Sequence, residues 1–206
     1  MTNTDPETIA VYDTKADDYA NAFTDIYMEP GLAGFIDRLP KGARILDLGC
    51  GPGAHAAVMH QHGFDVVATD ASAAMVEMAR KHEGIEVRQA TFDDLAEQNE
   101  FDGIWAHFSL LHAPRDQFPY HLSRIARALK PGGFFQIGLK TGEGEKRDHL
   151  GRFYTFYTAE QLREHLRKAQ FSIISEMTGE DVGLAGTLDP WIEILARLKT
   201  NTSHAQ

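Results

Sequence analysis

Short apolar runs alternate with helical stripes along most of this chain. Ile45, Leu46 and Leu48 form the first run, which has the length of a strand buried on both faces and stops abruptly in Gly49, Gly51, Pro52 and Gly53. Ala54 to Met59 then reads as a helix, so the glycines sit where exposed helix N–H groups meet a sheet edge. Val66 to Thr69 is a second run ending in Asp70, and Ser72 is positioned to cap a helix carrying Met75, Val76 and Ala79. Ile85 to Gln89 predicts a third strand, a polar loop surrounds Asp93 and Asp94, and Phe101 to His107 predicts a fourth strand. Leu122, Ile125 and Leu129 mark the buried stripe of the next helix, with Arg124, Arg127 and Lys130 as its solvated face. Lys130-Pro131-Gly132-Gly133 is a sharp stop before a Phe134 to Leu139 strand.

The two ends depart from this alternation. Pro6 follows Asp5 at a first helical position, and the helix carries Ile9, Tyr12, Ala16, Tyr19, Ala20 and Phe23. On one continuous helix Tyr12 and Tyr19, seven apart, share a face: either both rings pack on the domain or they form a lid over the glycine turn. A second helix is expected from about Glu29 to Leu39. Residues 141 to 152 are polar and glycine-broken, a loop rather than a packed element. Thr158 and Gln161 make a capping box for a helix with Leu162 and Leu166, Phe171 to Ile174 predicts a strand, and Trp191 to Leu198 a last one. Such alternation implies right-handed crossovers and a parallel sheet with helices on both faces, whose ligands bind beyond the strand C-termini.

Length and composition narrow the reading. At 206 residues and 43% hydrophobic content the chain fits one globular unit over residues 1–200, with N-terminal lid helices over about 5–40 and a frayed tail at 201–206. No run of about 18 apolar residues and no basic, apolar leader predict a soluble cytoplasmic protein without a membrane partner. One cysteine excludes an intrachain disulfide framework, no Cys/His zinc pattern accompanies it, and no metal is expected. A net charge of −10 argues against nucleic acid as a partner.

Five groups carry candidate chemistry. Asp70, 17 residues beyond Gly53, is placed to accept both hydroxyls of a ribose, which with the glycine turn indicates an adenosine-containing ligand. Asp47, two residues before Gly49, needs partners near a buried strand end: local N–H groups or a ligand ammonium. The spacing Gly49-x-Gly51-x-Gly53 with Ala54 partly fits a pyrophosphate fingerprint, so a nicotinamide or flavin ligand stays open. Cys50 has no adjoining base and fits the turn as a small residue rather than a nucleophile. His107 and His112 follow the fourth strand, as general base, substrate-orienting groups or structural histidines. Arg152, Phe153, Tyr154, Phe156 and Tyr157 are either acceptor-pocket walls or ordinary packing.

Taken in order, Ile45-Leu46-Asp47-Leu48-Gly49-Cys50-Gly51-Pro52-Gly53, Asp70, Phe101 to Trp105, Leu110-Leu111-His112 and Leu129 to Phe134 resemble the motifs of class I S-adenosylmethionine-dependent methyltransferases. Tyr12-Asp13-x-x-Ala16-x-x-Tyr19 resembles the entry segment of many small bacterial members, and the match runs from residue 12 to 198. The resemblance implies an α/β three-layer sandwich with a Rossmann-like, seven-stranded, mostly parallel sheet whose last strand is antiparallel. It implies S-adenosyl-L-methionine as cofactor, with Gly49, Cys50, Gly51 and Gly53 forming a backbone cradle and Asp47 anchoring the methionine portion. Asp70 would hold the ribose hydroxyls, Ala71 and Met75 would also contact the cofactor, Phe92 and Asp93 would border the adenine, Ala106 would lie near the methionine end, and Tyr12 and Tyr19 would close the site. Many members have Gly-Asp where this chain has Ala90-Thr91, which leaves Asp93 to supply any acidic contact to the adenine. The expected function is direct in-line transfer of an activated methyl group to a small-molecule acceptor. An NAD(P)-dependent oxidoreductase and a non-catalytic binding module for the same cofactor are the alternatives.

Overall fold

Strand order, more than strand count, positions the site. The structure, a computed structural model, describes residues 4–22 and 29–200. Seven strands form one sheet in the order β3-β2-β1-β4-β5-β9-β8. These are β1 (Arg44–Leu48), β2 (Asp65–Asp70), β3 (Glu86–Gln89), β4 (Phe101–His107), β5 (Leu129–Lys140), β8 (Phe171–Val182) and β9 (Leu188–Leu198). β1 pairs in parallel with both β2 and β4, so the order reverses there and a crevice opens beyond the C-terminal ends of β1 and β4. β9, the last strand, runs antiparallel to both neighbours and is inserted between β5 and the edge strand β8.

Alternation of side chains across the strands fills two cores. Ile45, Val66, Ala68 and Trp105 face the helices α3 (Pro30–Ile36) and α4 (Ala54–Gln61). Leu46, Val67, Ile104, Phe135 and Ile137 face α6 (Phe118–Ala128) and α7 (Ala159–Lys168). Both faces are covered, which is why these strands read as continuous apolar runs. α5 (Ala73–Ala79) starts where Ser72 accepts a hydrogen bond from the Met75 N–H, and α7 starts with the Thr158–Gln161 capping box.

Several boundaries differ from the pattern-based reading. The N-terminal helix breaks at Lys15 into α1 (Pro6–Thr14) and α2 (Ala16–Ala22); the expected Phe23 position and the 201–206 tail lie outside the described residues. The second helix is shorter, α3 alone. α6 ends at Ala128, and Lys130-Pro131-Gly132-Gly133 is an irregularity inside β5 that Leu129 begins by pairing with Phe101. Two of the three bases expected to be only solvated hold loops: Arg124 donates to the Leu95 carbonyl (2.7 Å) and Lys130 to Asp102 (2.8 Å). Asp93 and Asp94 lie on a single 3-10 turn (Phe92–Asp94). β8 and β9 extend well past the predicted runs because their outer halves pair with each other, Val182 with Leu188 at the tip, and an edge strand need not be apolar.

The largest correction falls on residues 141 to 152, read from the sequence as an unpacked loop. They contain β6 (Glu145–Arg147), which pairs antiparallel with β7 (Phe153–Thr155), and this hairpin grips α1. The Arg147 guanidinium binds both carboxylate oxygens of Asp5 (2.7 and 2.8 Å), the Phe153 N–H donates to Thr8 Oγ1 (2.8 Å), and Arg152 reaches the Tyr12 hydroxyl (3.3 Å). Asp5 also caps α1 by accepting from the Thr8 N–H (2.9 Å). Polar composition concealed a packed element because its contacts are ion pairs and backbone hydrogen bonds rather than apolar burial.

Hydrogen bonding from Arg147 holds the Asp5 carboxyl well below the usual carboxylate range. A depressed folded-state value contributes stability that is complete above the unfolded value of about 3.9 and is lost as pH falls through the folded one. Hydrogen exchange across residues 5–14 is therefore expected to accelerate in Asp5→Ala at neutral pH, and protection of the same segment in the unaltered chain to fade only below about pH 4.

Candidate active site

Two clefts open beyond the C-terminal ends of β1, β2 and β4, and they share the glycine turn, Tyr12, Tyr19, His107, Phe108 and His112. The first runs along Asp70, Ala71, Met75 and Phe92; the second is walled by Asp47, Glu29, His55, Tyr154, Trp191 and Glu193. The first encloses about 740 Å³ and the second about 2080 Å³ of space continuous with solvent, so the second has room for a further molecule.

The three glycines of the turn all adopt positive φ, and each does a different job. A Cβ on Gly49 would overlap Ser109, whose hydroxyl donates to the Leu48 carbonyl (2.6 Å) and ties the end of β1 to the segment after β4. A Cβ on Gly53 would press on Ala79 (2.9 Å), so this glycine sets the approach of α4 to α5 and lines neither cleft. Gly51 alone faces open space, where a Cβ would meet only Tyr19 at 3.6 Å. Its N–H donates to Asp70 Oδ2 (2.9 Å), and Asp70 Oδ1 accepts from the Ser72 N–H (2.9 Å). Burial pushes the Asp70 carboxyl up despite these N–H groups. A carboxylate has about four lone-pair directions, so two backbone contacts leave acceptor capacity for a diol.

Asp47 is 2% exposed, and its Oδ2 has no hydrogen-bond partner among the described residues. Burial raises its pKa to about 7, with His55 beside it pulling the other way and Asp70 adding to the rise. An unpartnered buried carboxylate is costly, and a ligand cation at this point relieves the cost. Cys50 is 7% exposed, and burial pushes its thiol up, so it stays a neutral thiol packed in the turn.

Tyr12 and Tyr19 meet edge to face (5.6 Å between centroids) although their helix is broken between them. Asp13, between them in sequence, accepts from the Ser72 hydroxyl (2.6 Å) and the Ala74 N–H (3.1 Å), fixing α1 to the start of α5. The Phe153 carbonyl only accepts, so Nδ1 of His112 carries the proton and donates to it (2.6 Å), while Nε2 accepts from the Tyr12 hydroxyl (2.8 Å). Burial lowers the His112 pKa to about 4. His112 thus aims Tyr12 and has no ring nitrogen left over for an acceptor.

His107 sits at the end of β4 between the two clefts. Its Nε2 is 3.0 Å from Glu193 Oε1, and Glu193 Oε2 accepts from Gln136 (3.0 Å). Trp105 stacks under the imidazole at 5.1 Å, and Phe108 follows with φ 52, a left-handed conformation rare for a bulky residue and found preferentially at sites. Of the aromatic run after Arg152, only Tyr154 lines the second cleft, with Arg152; Phe156 and Tyr157 are core. Asp93 and Ala106 line neither cleft, and Ala106 is fully buried. Ala90 and Thr91, beside Phe92, line the first cleft where Asp93 does not.

Sequence reasoning assigned no role to Glu29, His55, Asp13, Ser109 and Glu193. His55 carried a local signal, one residue into the helix after the glycine turn, and Asp13 stood inside the N-terminal motif. The rest come together only through tertiary packing. Glu29, His55 and His107 bring one donor atom each to within 4.8 Å of one another.

Methyltransferase-domain sequences match residues 45–133. The ubiquinone biosynthesis O-methyltransferase of Alkalilimnicola ehrlichii is 39% identical over 45% of this chain and 40% of its own length, and that of Pseudomonas aeruginosa strain UCBPP-PA14 is 30% identical over 68% and 65%. This chain therefore spans less than half of the first relative. Among solved structures, Burkholderia thailandensis 1,6-didemethyltoxoflavin-N1-methyltransferase, holding 1,6-didemethyltoxoflavin and S-adenosylhomocysteine, superposes with a TM-score of 0.77 at 25% identity, over 94% of this chain and 88% of that one. Residues 45–133 thus match a methyltransferase domain, and over nearly its whole length the chain is similar in fold to the class I S-adenosylmethionine-dependent methyltransferases. The residues present fit that family's cofactor: an orphaned carboxylate at Asp47, bare backbone at Gly51 and the Asp70 carboxylate stand along one path.

Asp47→Asn removes the buried charge and is expected to raise the melting temperature of the ligand-free protein, by about 2–4 °C for each kcal/mol relieved, while weakening S-adenosylhomocysteine binding at least tenfold by calorimetry. For His112 the unfolded chain takes up a proton near pH 6.5 that the folded chain refuses until about pH 4. Stability is then full above pH 6.5 and lost progressively toward pH 4, and urea unfolding at pH 7.5 and 5 should show a smaller drop in His112→Gln.

Proposed function

We propose that this protein transfers the methyl group of S-adenosylmethionine to an oxygen of a small, hydroxylated aromatic molecule. The observation that carries the reading is the meeting of two clefts at His107, one lined for a nucleoside and the other large and aromatic-walled. The names of the curated relatives favour oxygen as the acceptor atom, and Tyr154 and Trp191 suit a planar acceptor.

The bound cofactor supplies an electrophilic methyl on a sulfonium, which needs no protein nucleophile. The chain's own residues do the positioning. Asp47 receives the ammonium, Asp70 the ribose hydroxyls and the Gly51 backbone the body of the ligand, while Phe92 borders the base. Tyr12 and Tyr19 close over the junction and exclude water, held there by His112, Arg152 and Asp13. A hydroxyl acceptor must shed its proton as its oxygen approaches the methyl group in line, and the end of the cavity formed by His107 and Glu193 is where that proton leaves. Among the described residues the second cleft carries no Lys or Arg beyond Lys140 and Arg152, each paired with an aspartate, which favours a small molecule over a polymer.

Incubation with cofactor carrying a labelled methyl group, a panel of phenols and catechols and a cell extract, followed by mass spectrometry, is expected to give a labelled methyl ether. Asp70→Ala should weaken S-adenosylhomocysteine binding at least tenfold. Calorimetric heat from NAD and none from S-adenosylhomocysteine would replace the reading by an oxidoreductase, and cofactor binding without any labelled product by a binding module.

A further inference from the structure

Three polar side chains from separate parts of the fold converge on the floor of the second cleft. Glu29 precedes α3, His55 lies in the first turn of α4 and His107 ends β4. His55 Nε2 stands 3.7 Å from Glu29 Oε1, and His107 Nε2 stands 3.8 Å from Glu29 Oε2. The two imidazoles meet at 4.8 Å between centroids. These separations exceed a hydrogen bond, and His55 Nε2 is buried with no hydrogen-bond partner among the described residues. Two donors about 2.1 Å from one tetrahedral ion stand about 3.4 Å apart, so a closure of roughly 0.3–0.4 Å in each pair completes the set. Asp47 and Glu193 adjoin the histidines and add negative charge.

We propose that Glu29, His55 and His107 bind a divalent transition-metal ion, of the zinc or cobalt kind, that takes the acceptor's hydroxyl oxygen beside the methyl-donating cofactor. The inference deepens the oxygen-methylation reading and rests on it for the identity of the open ligand. Two imidazoles and one carboxylate are the donor set of catalytic sites that keep a position open, and the hydroxyl oxygen fills it. The ion's charge lowers the pKa of that hydroxyl, so its proton is released to solvent and the oxygen lone pair faces the methyl carbon. As the carbon–oxygen bond forms, the carbon–sulfur bond breaks and its electron pair stays on sulfur. In the metal-free chain His107 Nε2 faces the accepting Glu193 Oε1 at 3.0 Å and so carries the proton, and binding the ion moves that proton to Nδ1 and replaces this contact.

The test uses the full chain stripped with EDTA and then titrated with Co²⁺. One equivalent is expected to stay bound through dialysis and to give visible d–d absorption. Glu29→Gln and His55→Ala, each checked for an intact thermal transition, should weaken Co²⁺ binding at least tenfold. Absence of a retained equivalent, or equal retention in the unaltered chain and Glu29→Gln, overturns the site. Calorimetry of the stripped protein with S-adenosylhomocysteine runs alongside. Heat there without cobalt retention leaves the methyltransferase reading intact and removes the metal; cobalt retention without heat does the reverse.

Discussion

One carboxylate holds the site together. Asp70 accepts the Gly51 N–H on one oxygen and the Ser72 N–H on the other, so the turn after β1 and the turn after β2 are locked to each other. Ser72 in turn donates to Asp13, and Asp13 sits beside Tyr12. A line of hydrogen bonds therefore runs from the bare backbone of the glycine turn to the aromatic cover above it. Because the links are short and mostly to backbone, the cover has a fixed place relative to the cradle without needing a large apolar interface.

The N-terminal segment is held from its other side by chemistry of the same kind. Arg147, Arg152 and the Phe153 N–H reach across from the β6–β7 hairpin to Asp5, Tyr12 and Thr8. These contacts are polar and of long sequence separation, whereas the apolar core holds the sheet.

Polar groups under the second cleft follow a different logic. Asp47, His55, His107, Gln136 and Glu193 are buried or nearly so, and three of the five leave a side-chain atom without a hydrogen-bond partner among the described residues. Each unpaired buried group costs roughly 1–3 kcal/mol, and the three here are gathered under one cleft.

Much of this was legible in the sequence. Apolar runs of strand length, broken by glycine and alternating with helical stripes, determined the sheet, its covered faces and the end of it at which ligands bind, because burial on both faces leaves no other pattern. The glycine turn and Asp70 were legible for the same reason: backbone needs decide residue type locally. The hairpin at residues 145–155 was not, since its stabilising contacts are polar and more than a hundred residues away in the chain. Nor was the approach of Glu29 and Glu193 to His107, which depends on β9 being inserted beside β5 and on α3 packing tightly enough that a Cβ on Gly31 would overlap the Glu193 carboxylate. Sequence by itself determined the frame and the cradle through local periodicity and backbone freedom; only the tertiary structure decided which distant polar groups meet, because long-range pairing leaves no periodic trace along the chain.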